Sequence, residues 1–262
     1  MTSKKEMCCL GKLPARRDAR TLTMAKYLRT EGLPVAPPAL AFTSKVAHWP
    51  MMDNDKLGDC TVAAAGHMIQ EWTAYTEKLF TPATEEIVRA YSAVSGYDPE
   101  TGRKDRGAAA LDVLNHWRQI GIAGHKIEAY VGLEPKNHMH IQDSVYLFGN
   151  VYLGLALPKS AKNQTAWSVP PYGPVGDGAP GSWDGHMVPV VGYDARGLTV
   201  VTWGELLRMS WSFLDTYSDE AYAVLSEDWI TKTKRVTVKN FHMATLRRDL
   251  EEVAKEGRKE AA

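Results

Sequence analysis

Cysteine is scarce in this 262-residue chain, which has three: Cys8, Cys9 and Cys60. Adjacent cysteines rarely bridge each other, and an odd count leaves no disulfide framework. The expected compartment is therefore a reducing one, the cytoplasm. Cys8 and Cys9 read as a solvated terminal feature, and no further ligands stand close enough to make a metal site with them. Net charge is lacking too. Lys plus Arg and Asp plus Glu both number 31, which removes the basic excess expected of a partner for nucleic acid or an anionic membrane. The first twenty residues hold no apolar run of signal-peptide length, and no stretch approaches a membrane span. There is no internal repeat. Nothing in the composition speaks to an oligomeric state.

What is present is ordinary for a globular protein: 44% apolar residues, 24% charged, and length for one large domain or two small ones. Residues 1–40 are basic and proline-rich. A short helix is possible over 21–29, but the prolines of 33–38 fix φ and remove donors. An inhibitory segment would ordinarily be longer and more helical, so 1–40 is expected to lie as an extension on the domain surface. The main domain is expected over 41–240, followed by a charged helical tail, 241–262, with a thin apolar stripe at Leu246, Leu250 and Val253.

Within the main domain the period changes halfway. Val62, Ala65, Ile69, Trp72 and Leu79 make a helical stripe over 60–79. Thr81-Pro82 reads as the start of a second helix, with Thr81 as its cap. A third runs over 108–120 and stops at Gly121; a fourth covers 141–148 and stops at Gly149. Strand patterns then follow at 151–157, 186–193, 198–203, 208–214 and 221–226, with a long loop at 158–185. Helices first and strands second predict an α+β domain with a helical lobe and a sheet lobe.

One stretch carries chemistry. Asn54-Asp55-Lys56-Leu57-Gly58-Asp59-Cys60 is a glycine-containing turn that ends in a cysteine opening a helix. A helix N-terminus offers unpaired N–H groups and a positive dipole end, and both favour thiolate over thiol. A small buried cysteine that merely packs is the alternative. His186 decides between them. It starts a strand just past the long loop, so it would meet Cys60 across the cleft between lobes and supply a thiolate–imidazolium pair for acyl transfer. His67, His116 and His125 sit on or beside helices and read as packing or surface residues.

These residues resemble the papain-like cysteine peptidases. Asn54, Gly58 and Cys60 stand where that family has its glutamine, glycine and nucleophile. His186 with Val191-Gly192-Tyr193 is similar to its histidine segment, Trp203-Gly204 to its Trp-Gly pair, and Asp105-Arg106-Gly107-Ala108 to its substrate-facing segment. The resemblance spans roughly residues 40–230. It implies a two-lobe fold, a helical N-terminal lobe and an antiparallel β-sheet C-terminal lobe with the cleft between them. It also implies a thiol hydrolase, a cysteine peptidase or amidase, that works through a thioester on a peptide or protein substrate without cofactor or metal. In it Cys60 is the nucleophile and His186 its acid–base partner. Asn54 and the Cys60 N–H stabilise the oxyanion, and Gly107, Trp183 and Trp203 face the substrate. Core packing is the other reading of the tryptophans.

The sequence also departs from the family. Asn54 is one methylene shorter than glutamine, Thr61 follows the cysteine where an aromatic is usual, and Gly185 precedes the histidine in place of Asp or Asn. The orienting asparagine is missing. Counting along the hairpin leaves Thr202 or Val201 at its position, and strand alternation favours Thr202, whose hydroxyl can accept from the imidazole. A catalytically weak or inactive module that binds a peptide in its cleft is the competing function.

Overall fold

A computed structural model describes residues 8–16, 18, 21, 35–76, 78–226 and 229. The expected tail helix, and the expected helix over 21–29 apart from Thr21, lie outside the described residues.

The first long helix, α1 (Cys60–Thr76), is the centre of the molecule. Its residues from Cys60 to Ala74 are all buried, so it is enclosed on every side rather than on the one stripe that the spacing suggested. The run Ala63-Ala64-Ala65-Gly66 makes this possible, because small side chains let neighbours close in. Leu79 lies beyond the helix and is 44% exposed. Next comes α2 (Thr84–Ser95), which starts later than Thr81-Pro82 predicts. The Thr81 hydroxyl is committed elsewhere, accepting from Gln70 Nε2 at 3.1 Å. The helix is capped instead by the Glu86 carboxylate, which accepts from the Ala83 N–H at 3.1 Å. Then α3 (Ala110–Gln119) completes the helical lobe.

The sheet lobe follows. Its strands are β1 (Leu40–Ala41), β2 (Ala129–Gly132), β3 (Val151–Leu157), β4 (Ala166–Trp167), β5 (Asp184–Asp194), β6 (Gly197–Thr202), β7 (Glu205–Ser210) and β8 (Ser218–Leu225). They run in the order β2-β8-β3-β5-β6-β7-β4, with β1 added on β5. All pairs are antiparallel except β4 with β7. Two helices pack on this sheet: α4 (His138–Phe148), which Asn137 caps through the His140 N–H, and α5 (Trp211–Tyr217). The strand expected over 208–214 therefore ends at Ser210. Its side chain caps α5 by accepting from the Phe213 N–H at 3.1 Å. The short strand β2 went unread in the sequence, since four residues carry too little pattern. The loop over 158–185 is partly built, holding β4 and two 3₁₀ turns.

The architecture is α+β, two lobes meeting at a cleft, with one hydrophobic core running from α1 into β3, β5, β6 and β8. Helix α1 backs onto β5, and the start of each borders the cleft. Among the described residues no helix is long and apolar enough to cross a membrane. No group of three or more His, Cys, Asp or Glu among them is placed to hold a metal.

Candidate active site

Cys60 is the first residue of α1, and the Asp59 carbonyl accepts the Val62 N–H at 2.8 Å just behind it. The turn before it is pinned within the helical lobe. The Gly58 N–H donates to Asp105 Oδ1 at 3.0 Å, Tyr91 donates its hydroxyl proton to the same oxygen, and the Gly107 N–H donates to the Tyr91 oxygen at 2.9 Å. Asp105 and Tyr91 thus hold the Cys60 turn and the Gly107 segment at a fixed separation.

His186 lies on β5, opposite Leu155 of β3, and is buried. Its Nε2 lies 2.8 Å from the Thr202 hydroxyl at the end of β6. Val201 instead packs among Val46, Trp49, Ala74 and Val191. The indole of Trp203 stacks on the imidazole, with ring centres 4.5 Å apart and planes at 18°. Trp203 sits at φ 45°, a left-handed conformation unusual for a bulky side chain. That turn swings the indole back over His186. Nδ1 of His186 is buried and has no hydrogen-bond partner among the described residues. The next backbone N–H, of Met187, points at the Cys60 sulfur. His186, Thr202 and Trp203 are thus one cluster, and Cys60 adjoins it through the Met187 N–H. Trp183 is half-buried beside it, its ring 5.6 Å from that of Trp203. Both border a small apolar recess with Trp167 and Leu207.

Asn54 is buried near Cys60. Its Nδ2 donates to Leu57 O at 3.1 Å and, more distantly, to Cys9 O at 3.5 Å. The Cys9 carbonyl also accepts from Trp203 Nε1 at 3.1 Å. A peptide carbonyl from the N-terminal segment therefore stands between Asn54 and Trp203.

This is the main departure from the sequence reading. Residues 9–13 do not lie on the outer surface but run along the cleft. The Cys9 N–H donates to Asn54 O, and the Gly11 and Lys12 N–H groups to Gly185 O at 3.3 and 3.1 Å. On the other wall the Leu13 N–H donates to Ala108 O, and the Ala108 N–H to Gly11 O at 2.9 Å. Close approach requires glycine here: a Cβ on Gly107 would stand 1.9 Å from Gly11 O, and one on Gly185 2.1 Å from Lys12 O. Nor is Cys9 a solvated terminal residue, since its thiol donates to Asp55 O at 3.3 Å.

Lys12 is only 3% exposed. Its Nζ meets Asp219 Oδ2 at 2.9 Å and Glu220 Oε1 at 3.1 Å. Burial draws the ammonium pKa down, but the two carboxylates outweigh it and leave it above the ordinary lysine value. None of these three residues was singled out in the sequence. Glu220 had a faint signal, as a charged residue within a strand whose other positions from Ala221 onward are buried.

Titration at the centre runs against the expectation drawn from the helix N-terminus. Burial pushes the Cys60 thiol up to about 12; the neighbouring Asp59 adds to this, and the Met187 and Gly11 N–H groups and Lys12 only partly oppose it. Burial also lowers the His186 imidazole to about 3, with the Lys12 charge adding to the effect. Thiol and imidazole are both neutral in this arrangement, because the segment above them excludes water and desolvation exceeds the favourable dipole.

No protein-family model matches the chain, and no curated protein sequence does. Solved structures do match. Xylellain, a cysteine protease from Xylella fastidiosa, superposes with a TM-score of 0.65 at 15% identity, over 84% of this chain and 97% of its own. Procathepsin B S9 from Trypanosoma congolense has a TM-score of 0.58 at 9% identity, covering 87% and 89% of the two chains. Digestive procathepsin L 3 of the Tenebrio molitor larval midgut has 0.56 at 12%, covering 86% and 79%. At these identities the likeness is one of fold, and the fold of this chain is the two-lobe fold of the papain-like cysteine proteases.

Proposed function

We propose that the chain is a thiol hydrolase of peptide bonds whose cleft is closed here by its own residues 9–13. The observation that carries this reading is the way those residues are held. An extended main chain is bonded on both walls by backbone groups, Gly185 O on one side and Ala108 on the other, directly over Cys60. A cleft that grips the backbone draws affinity for polypeptide from main-chain hydrogen bonds and leaves specificity to its side-chain pockets.

The bound segment is a block rather than a substrate. What it sets against the Cys60 sulfur is the Gly11 N–H, a donor with no electrophilic carbon. When it leaves, water re-enters and the cost of charging thiol and imidazole falls. The Cys60 proton then passes to His186 Nδ1, the nitrogen that Thr202 leaves open. The thiolate attacks the substrate carbonyl carbon, an S–C bond forms, and the carbonyl electron pair moves to oxygen. The Cys60 N–H and the Asn54 amide hydrogen that the departing Cys9 carbonyl frees are the donors for that oxyanion, and such donors contribute roughly 3–4 kcal/mol each in a preorganised hole. As the C–N bond breaks, the amine leaves with the proton from His186. A water then gives a proton to His186 and attacks the thioester, and the C–S bond breaks with the His186 proton returning to the Cys60 sulfur. Thr202 holds the ring from behind, and Trp203 covers its face.

A second reading, a peptide-binding module without turnover, is favoured by one observation: the group behind the imidazole is a neutral hydroxyl, a weaker orienter than an amide carbonyl. Iodoacetamide labelling over pH 5–9 separates the two. The wild-type thiol is expected to label slowly throughout. Lys12→Glu, which places a third carboxylate beside Asp219 and Glu220 and expels the segment, is expected to label fast at pH 6 and to cleave fluorogenic peptides. Adding His186→Ala removes both effects. Labelling that follows an ordinary thiol pKa in Lys12→Glu, unchanged by His186→Ala, rejects the hydrolase.

A further inference from the structure

The recess that holds Lys12 is built for its side chain. Its far end carries two carboxylates, of which Glu220 is buried and Asp219 is 30% exposed. Tyr222 donates its hydroxyl proton to Glu220 Oε2 at 2.9 Å, which fixes the carboxylate and leaves Oε1 turned to the ammonium. The wall is cut away at Gly154 in β3. A Cβ there would stand 2.5 Å from Glu220 Cγ and 3.0 Å from Lys12 Cδ, so any side chain would close the channel for the lysine stem. The mouth lies between Gly185 and Ala108, the two residues that hold the backbone at Lys12. Two carboxylates at the far end and a channel cut for an unbranched stem make the recess complementary in charge and length to a cation of the same reach.

We propose that this recess is the specificity pocket of the cleft, selecting substrate peptides with a lysine side chain, and that Lys12 occupies it as a stand-in while the segment is in place. Glu220 is the specificity-determining residue, Asp219 adds charge at the rim, and Gly154 sets the depth. The inference rests on the hydrolase reading for its consequence, the choice of bond cut, but the pocket's preference can be measured without turnover.

The test uses the full chain carrying Cys60→Ala and Lys12→Ala, which removes the chemistry and empties the recess. Two acetylated hexapeptides are titrated by calorimetry, identical except for lysine or its uncharged isostere norleucine at the third position. The lysine peptide is expected to bind at least tenfold tighter at low salt, and Glu220→Gln to bring the two within about twofold. Gly154→Val, which blocks the stem and leaves the carboxylates, is expected to weaken the lysine peptide to the level of norleucine. Equal binding of the two peptides, tighter norleucine binding, binding of neither, or a preference that survives Glu220→Gln overturns the pocket. If the preference is present but Lys12→Ala with Cys60 intact cleaves neither peptide, the hydrolase reading fails and the pocket stands.

Discussion

Two buried groups of ionisable residues lie under the same segment and behave in opposite ways. Cys60 and His186 are neutral, with pKa values forced apart to about 12 and about 3 by burial. Lys12 is equally enclosed yet holds its charge, because Asp219 and Glu220 meet it at 2.9 and 3.1 Å. The difference is the partner. A charge leaves water at tolerable cost only where an opposite charge and hydrogen bonds replace the water, and otherwise the group titrates to its neutral form. The lysine of the segment is anchored by charge, whereas burial leaves the Cys60 thiol uncharged beside it.

The largest way to break this contrast is Glu220→Ala. It leaves the Lys12 ammonium buried with one partly exposed carboxylate, a loss of about 3–5 kcal/mol from closure on the usual scale for severed buried pairs. Segment release should then raise the Cys60 alkylation rate by two orders of magnitude or more; an unchanged rate shows that the ion pair does not hold the segment. Asn54→Ala comes next. In an open variant such as Lys12→Glu it should lower kcat by roughly a hundredfold or more, from the loss of an oxyanion donor, with little change in Cys60 alkylation. An equal kcat removes Asn54 from the hole.

Acid sharpens the contrast at similar size. His186 and the buried His67 have pKa values lowered by burial to about 3 and about 4, whereas the unfolded chain protonates them near pH 6.5. Below that pH the unfolded state binds more protons, so stability that is complete above about 6.5 is lost as pH falls toward 4. The loss is about 3 kcal/mol from His67 alone. Urea unfolding at pH 7.5, 5.5 and 4 measures this slope, and His67→Gln, which keeps a donor for Pro50 O, should flatten it. A slope indifferent to His67 refutes the assignment.

The smallest expected effect is at Thr202. Losing one side-chain hydrogen bond costs about 1 kcal/mol of stability. Thr202→Val, isosteric but without the hydroxyl, should lower turnover of an open variant about tenfold, and Thr202→Ser should restore it. Val and Ser variants of equal rate would mean that the hydroxyl does not position the imidazole.

Much of the fold was legible from local pattern. The strand over 151–157 was read to its ends because its apolar run lies between Gly149 and Pro158. The helix from Cys60 was read because a turn and an apolar repeat adjoin. Where side chains had two possible employers, local pattern misled. Thr81 was read as a cap but bonds Gln70, and Ser210 was read inside a strand but caps α5. The choice of Thr202 over Val201 followed from strand alternation, and their packing differs in the same sense: one meets His186, the other a small apolar cluster.

What the amino-acid order determined by itself was the list of elements, the two-lobe plan, and a cysteine and a histidine at the starts of a helix and a strand. These follow from periodicity, turn chemistry and short spacing, which act over a few residues. Tertiary structure alone decided that residues 9–13 enter the cleft, that Lys12 pairs with carboxylates some two hundred positions away, and that Cys60 is a neutral thiol. Each depends on which surfaces exclude water together. Desolvation is a property of the assembled neighbourhood, and no window of sequence around Cys60 contains the segment that covers it.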